Sequence, residues 1–309
     1  MAIEFHKYHA LGNDYIILDP LTARLDLTPK RMRLLCHRHF GIGSDGILWG
    51  PLPEETDCSI GDVGVRRTSH CGPHNEPFRL RIYNPDGSEA EKSGNGLRMF
   101  ARFLFDTGRV GADPVTVVTQ GGNVSCQVLD GGGQITVEMG QVRFESNVIP
   151  VKGSPRNVLN EQITVGDRVL TVSAATIGNP HCVVFRDALS VDEVKATGTL
   201  LENHPQFPNR TNVQFVKVVD RSTIRIEIWE RGAGYTLASG SSASAAAATA
   251  KRLGYCDGAV TVKMQGGELH VVIDEEYRVT MTGPATPVAH GKLAQGFFEQ
   301  NLPDAVFAT

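Results

Sequence analysis

The chain has 309 residues, of which 41% are hydrophobic and 21% are charged, and its formal net charge is −4. This composition excludes a disordered chain, and at about 150 residues per domain the length predicts two domains. The charge provides no basic surface for nucleic acid or membrane lipid, and no apolar run reaches the roughly 18 residues of a membrane span. Because the N-terminus also lacks the pattern of a secretory leader, we expect a cytoplasmic protein.

Most segments, taken in chain order, have the residue pattern of short strands. They are rich in Val, Ile, Phe and Tyr, and several alternate with period two. Glycine-rich breaks at 121–122, 131–133 and 266–267 indicate hairpins. The predicted strands are 79–84, 114–120, 134–140, 181–185, 212–219, 222–230, 269–274 and 277–283, and the predicted helices are 30–39, 95–107, 189–203 and 241–253. The fold class is therefore α+β, with more strand than helix.

The two halves of the chain share a weak internal repeat. LGNDYIILD (11–19) and IGNPHCVVF (177–185) both place Gly-Asn before an apolar strand. Further along each half, a Ser-Gly pair precedes a predicted helix, at Ser93 and at Ser239. Because these features recur in the same order, we predict two related domains with the ligand between them.

The two Ser-Gly turns are the candidate functional elements. The first turn of a helix has free backbone N–H groups and a partial positive charge, so it binds carboxylate or phosphate. A side-chain oxygen at each of two such turns would suit removal of an α-proton from one face of a carbon and delivery to the other. Serine is also among the best N-cap residues, so from local sequence alone plain capping is the commoner role for Ser93 and Ser239.

A second candidate is the cluster His70, Cys71 and His74, with Cys58 upstream, in the stretch from 50 to 78. No further ligand pair with zinc-site spacing accompanies it. We therefore interpret this stretch as a surface loop and predict no metal site, with a lid as the alternative.

Several segments together resemble the diaminopimelate epimerase family of cofactor-independent amino-acid epimerases. They are LGNDYIILD, GIGSDGIL, RIYNPDGSEAEKSGNGLRMFARFL, GNPHCVVF, RTNVQFV, ERGAGYTLASG and GPATPV, in the family's order. The resemblance implies two pseudo-symmetric domains, each a β-barrel-like sheet around a central helix, at 1–138 with a C-terminal return at 285–309 and at 139–284. It also implies a small amino-acid substrate and no pyridoxal phosphate, and it leaves a homodimer open.

The resemblance also assigns site residues, matched position by position. The family's substrate-binding side chains and turn amides match Asn13, Asn84, Gly94, Asn95, Asn179, Asn212, Arg231, Gly240 and Ser241. The family's His and Glu beside its catalytic pair match His181 and Glu230. Amide side chains and one Arg suit the distant carboxylate and amine of a dicarboxylic amino acid, while the helix ends suit the near carboxylate.

The catalytic pair departs from the family, which has a cysteine on each turn where this chain has Ser93 and Ser239. A serine hydroxyl is a far weaker acid than a thiol, so a two-thiolate mechanism cannot operate here. Met99 and Ser244 also stand where the family often has Cys, a pattern that favours a divergent natural subgroup over two designed substitutions.

Three functions therefore stay open from the sequence. The first is epimerisation of diaminopimelate from the LL to the meso form, or of a close analogue, in lysine and cell-wall precursor biosynthesis. In it, His181 activates Ser93 and Glu230 activates Ser239, or His181 or Glu230 takes the proton directly. The second is isomerisation or dehydration of another amino or hydroxy acid. The third is ligand binding without turnover, and we favour the first.

Overall fold

The computed structural model describes residues 3–53, 76–300 and 302. Two compact units make up the chain. The first contains Met1–His9, Asp14–Ile135 and Ala285–Thr309, and the second contains Ala10–Asn13 and Thr136–Pro284. The cluster of His70, Cys71, His74 and Cys58 lies outside the described residues.

Unit 1 is built from strands at both ends of its sequence. Its strands are β1 (Glu4–Ala10), β2 (Asn13–Leu18), β3 (Ile47–Leu52), β4 (Phe78–Tyr83), β5 (Glu89–Ala90), β6 (Val115–Thr119) and β7 (Gly122–Leu129). Its helices are α1 (Pro20–Ala23), α2 (Pro29–Cys36) and α3 (Gly94–Asp106). β2 runs parallel to β3, which pairs antiparallel with β4; β4 pairs antiparallel with β5 and parallel with β6, and β6 forms a hairpin with β7.

The central element of unit 1 is α3, in which every residue from Gly94 to Ala101 is buried, as expected of a helix enclosed by other elements. Leu97, Phe100 and Leu104 are fully buried. Phe103 packs against rings from β1, and Phe100 lies beside β3. The sheet of unit 1 therefore wraps around α3.

Unit 2 contains the strands from β8 to β17 and two helices. The strands are β8 (Gln134–Gln141), β9 (Glu161–Val165), β10 (Arg168–Thr176), β11 (Pro180–Phe185), β12 (Asn212–Asp220), β13 (Thr223–Glu230), β14 (Gly234–Thr236), β15 (Ala259–Met264), β16 (Gly267–Ile273) and β17 (Arg278–Gly283). The helices are α4 (Val191–Glu202) and α5 (Gly240–Arg252). α5 contacts β10 to β13 and β15 to β17. Its alanine run at 243–248 (interrupted by Ser244) lets these strands approach closely, because small side chains keep the helix thin.

The two units share one strand-pairing pattern. In unit 2, β11 runs parallel to β12, which pairs antiparallel with β13; β13 pairs antiparallel with β14 and parallel with β15, and β15 forms a hairpin with β16. This is the order found in unit 1. In each unit the central helix follows a short strand: α3 follows β5, and α5 follows β14. The predicted α+β class with two pseudo-symmetric sheets, each around a central helix, is confirmed.

All the predicted strands and helices are present, with ends shifted by three residues or fewer. Several partner strands have no clear sequence pattern and were not predicted, including β1 and a strand near the C-terminus, β18 (Thr286–Lys292). Both are rich in polar residues, and they pair antiparallel with each other across nearly the whole length of the chain. No described helix combines the length and the apolar character needed to cross a membrane.

Candidate active site

Ser93 is the N-cap of α3. Its backbone is extended (φ −138°, ψ 114°), and its Oγ accepts a hydrogen bond from the amide of Gly96 at 3.0 Å. A β-carbon at Gly96 would lie 3.2 Å from Cβ of Ser93, which is tighter than ordinary packing, so the glycine allows the close turn. The amides of Gly94 and Asn95 lie in the first turn of α3, ahead of the capped amide.

Ser239 is the N-cap of α5 and has almost the same backbone conformation (φ −146°, ψ 125°). Its hydroxyl is buried and accepts from the amide of Ser242 at 3.4 Å, a long contact, and lies 3.4 Å from Oγ of Ser241. Among the described residues it bonds to no carboxylate. Both serines therefore cap their helices, and the amides of Gly240 and Ser241 lie in the first turn of α5, at its positive end.

In unit 1, two predicted asparagines are held by neighbouring groups. Asn84 follows β4 and begins the turn at 84–88, and its Nδ2 donates to Oγ of Ser88 at 2.9 Å. Oδ1 of Asn95 accepts from Nη2 of Arg98 at 2.8 Å. Arg98 is completely buried and reaches back over the first turn of α3, which places a guanidinium beside the end that would bind an anion. Burial lowers the pKa of Arg98 to about 9, so the group stays charged at neutral pH.

In unit 2, the start of β11 and the start of β12 bring three predicted residues together. His181 and Asn212 are paired in the parallel register of these strands. Nε2 of His181 lies 2.9 Å from Oδ1 of Asn179. Nδ2 of Asn212 donates to the carbonyl of Pro180 at 2.9 Å, and its Oδ1 accepts from the amide of Arg231 at 3.0 Å. Asn212 thus links β11 to the turn that follows β13.

That turn carries Arg231, whose side chain is exposed and donates through Nη1 to the carbonyl of Asn209 at 2.9 Å. The buried carboxylate of Glu202, at the end of α4, stabilises this turn. It accepts from the amide of Gly232 at 2.9 Å and from Nε1 of Trp229 at 2.7 Å, and it pairs with Arg210. The carboxylate therefore stabilises the backbone conformation of the turn that contains Arg231.

His181 is fully enclosed, and its pKa is lowered to about 3, mainly by burial; Gln214 opposes this shift and the charge of Arg231 adds to it. The imidazole is therefore neutral at physiological pH. It can accept a proton through only one of its nitrogens, and the hydrogen bond at the other decides which one.

Two further polar residues near this cluster, Gln214 and Ser242, were not predicted from the sequence. Both are fully buried, and Nε2 of Gln214 donates to Oγ of Ser242 at 3.0 Å. A signal was available, because Gln214 lies two residues after Asn212 in a strand and therefore on the same face. These hydrogen bonds link Ser239, the N-cap of α5, through Ser242 to Gln214 of β12.

The remaining predicted residues stand at the ends of strands. Asn13 begins β2, and Glu230 ends β13 opposite Gly234 of β14. The part of the chain that the structure describes contains no group of three or more His, Cys, Asp or Glu side chains placed to hold a metal ion.

Comparison with protein families gives one match that covers most of the chain. The family model described as diaminopimelate epimerase matches residues 5–145 and 173–288. The chain is 50% identical over 296 residues to diaminopimelate epimerase 2 of Nostoc sp. (strain PCC 7120), covering 96% of this chain and 97% of the relative. It is 38% identical to diaminopimelate epimerase 1 of the same strain, covering 95% and 100%. Of these two proteins, diaminopimelate epimerase 2 is the more similar to this chain.

Solved structures show the same fold at low sequence identity. A probable proline racemase from Agrobacterium radiobacter matches with a TM-score of 0.66 at 16% identity, covering 96% of this chain and 94% of the other. A hydroxyproline epimerase from Agrobacterium vitis matches with a TM-score of 0.63 at 15% identity, covering 94% and 92%. The fold, the family model and the close relatives agree, and this chain belongs to the diaminopimelate epimerase family.

Proposed function

We propose that this protein is an epimerase that inverts the α-carbon of diaminopimelate, from the LL to the meso form, or of a close analogue. The observation that carries the proposal is the cluster in unit 2, where Asn179 bonds to His181, and Asn212, paired with His181 across the strands, bonds to the backbone of Arg231. Close relatives over nearly the full length bear the name of this activity. The substrate follows from the side chains, because amides and one guanidinium suit a polar dicarboxylic amino acid.

The residues of this chain would divide the reaction as follows. The first-turn amides of α3 and α5 bind the carboxylate next to the reacting carbon and stabilise the charge that develops when its proton leaves. Arg231 and the asparagines bind the distant end of the substrate. Ser93 and Ser239 carry the proton away from one face and deliver a proton to the other.

The serines set the limit on rate. A hydroxyl gives up its proton less readily than a thiol, and each unit of pKa mismatch costs up to about 1.4 kcal/mol. The amide hydrogen bonds to Oγ of Ser93 and Ser239 favour the ionised oxygen, as does the positive end of each helix. We therefore expect a slow epimerase, with His181 or Glu230 as the alternative proton acceptor.

The test is loss of the α-proton signal of LL-diaminopimelate in heavy water, followed by proton NMR, with the LL and meso forms separated by chromatography. We expect exchange and inversion together, and loss of both in Ser93→Ala and in Ser239→Ala. Binding detected by calorimetry without exchange would refute the proposal. That result would leave a ligand-binding protein, or an enzyme for another amino or hydroxy acid.

We further propose that the reaction needs no pyridoxal phosphate and belongs to lysine and cell-wall precursor biosynthesis in the cytoplasm. Activity that survives treatment with borohydride and hydroxylamine would support the first point, because both reagents remove a pyridoxal Schiff base. Loss of activity under either reagent would contradict it.

A further inference from the structure

The exposed guanidinium of Arg231 is held by a loop of unit 2 that is distant from it in sequence. Its Nη1 donates to the carbonyl of Asn209 at 2.9 Å. A guanidinium has five N–H donors in a fixed fork, so donors remain for a bidentate contact with a carboxylate. The direction in which the guanidinium points therefore depends on where the loop at 207–211 places the Asn209 carbonyl.

The carboxylate of Glu202 bonds both to this loop and to the turn that contains Arg231. On the turn, its Oε1 accepts from the amide of Gly232, the next residue, at 2.9 Å. On the loop, it forms an ion pair with Arg210, the residue after Asn209. Only 5% of the carboxylate side chain is exposed, and an indole N–H donates to its other oxygen at 2.7 Å. One fixed carboxylate thus links the backbone of Arg231 to the loop that accepts its side-chain hydrogen bond.

Arg210 has a backbone conformation that favours glycine. Its φ is 61°, in the left-handed region, where an arginine is unusual. The ion pair with Glu202 explains the arginine, because it neutralises a buried carboxylate that would otherwise repel an anion bound at the neighbouring turn. The loop is closed by two backbone bonds, from the amide of Arg210 to the carbonyl of Phe207 at 3.0 Å and from the amide of Thr211 to the carbonyl of Glu202 at 3.2 Å. A positive φ held in this way beside a proposed binding residue favours a functional role.

We propose that Glu202 and Arg210 are positioning residues that hold the guanidinium of Arg231 ready for a carboxylate distant from the reacting carbon. A long exposed side chain loses rotational freedom when it binds a ligand, and ordering it beforehand reduces that cost. The pair thereby gives selectivity for a substrate with a second carboxylate. This selectivity rests on the proposed function, whereas the ordering of the Arg231 side chain does not.

The first experiment needs no ligand and measures ¹⁵N relaxation of the arginine Nε–H groups in the full-length protein, with Arg231 assigned from the spectrum of Arg231→Met. We expect a high order parameter for Arg231 in the parent and a clear fall in Glu202→Gln and in Arg210→Gly. Glycine suits the positive φ, so Arg210→Gly removes the ion pair without straining the loop. The control is Arg221→Ala, which breaks an exposed ion pair at the other end of β12 and β13 and should change nothing. An unchanged order parameter in Glu202→Gln and Arg210→Gly would overturn the proposal.

Calorimetry supplies the second readout, with LL-diaminopimelate and with L-lysine, which has the same two amines but lacks the distant carboxylate. We expect the Kd for diaminopimelate to rise about five- to tenfold in Glu202→Gln and in Arg210→Gly, and the Kd for lysine to change by less than about twofold. In an Arg231→Met background the same changes should have no further effect on diaminopimelate, because the group that they position is gone.

Equal weakening for both ligands, or undiminished weakening in the Arg231→Met background, would show a general structural role and overturn the proposal. A parent protein that binds no diaminopimelate refutes the proposed function alone, since the order parameter of Arg231 is measured without ligand.

Discussion

The two capping serines allow catalysis to be separated from helix stability. Oγ of Ser93 lies 3.0 Å from the amide that it caps, whereas Oγ of Ser239 lies 3.4 Å from its amide. N–H···O bonds cluster between about 2.7 and 3.2 Å, so the second cap is the weaker one. Loss of an N-cap costs about 0.5–2 kcal/mol. We therefore expect Ser93→Ala to lower the free energy of unfolding by about 1 kcal/mol, and Ser239→Ala by about 0.5 kcal/mol or less.

Asparagine provides the matched control, because it caps as well as serine but has no hydroxyl. We expect Ser93→Asn and Ser239→Asn to restore stability to within about 0.5 kcal/mol of the parent, while α-proton exchange stays absent. The assay is urea unfolding followed by circular dichroism, fitted with a shared slope, beside the exchange measurement in heavy water. A larger loss of stability in Ser239→Ala than in Ser93→Ala would contradict the assignment of Ser239 as the weaker cap. Retained exchange in either asparagine variant would show that the hydroxyl is not the proton carrier.

Three further predictions concern rate, pH and packing. Changing both Ser93 and Ser239 to Cys introduces thiols with an ordinary pKa near 8.5, so we expect epimerisation to rise roughly 100-fold; an unchanged rate in the exchange assay would contradict this. Burial raises the pKa of Glu202, but hydrogen bonds from an indole and a backbone amide outweigh it and leave the pKa below the usual 4.5. The stabilisation by this carboxylate is therefore complete above pH 4.5 and is lost as the pH falls, so urea unfolding should show Glu202→Gln less stable at pH 7 and closer to the parent at pH 3. At Gly198 a β-carbon would lie 2.6 Å from the indole of β13, so Gly198→Ala should cost about 1–3 kcal/mol in urea unfolding. Gly111→Ala, which points into open space, should stay within about 0.5 kcal/mol, and equal costs for the two variants would refute the packing argument.

The sequence by itself determined the features that depend on near neighbours along the chain. Segments rich in Val, Ile, Phe and Tyr, several of them alternating, predicted eight strands. The Ser-Gly pairs predicted where α3 and α5 begin, because capping is decided within one helical turn. The repeated order of these signals also predicted two related domains, and the family resemblance implied a sheet around a central helix in each. The family resemblance rested on such local segments too.

Tertiary structure decided what each polar side chain contacts. The pairing of β1 with β18 joins the two ends of the chain, which no local pattern encodes. Asn212 bonds to two backbone groups far from it in sequence. Glu202, at the end of α4, accepts a hydrogen bond from the turn that contains Arg231. The roles of these residues depend on which strands and helices become neighbours. That choice is made by packing and by hydrogen bonding across long sequence separations, and it is visible only in the folded chain.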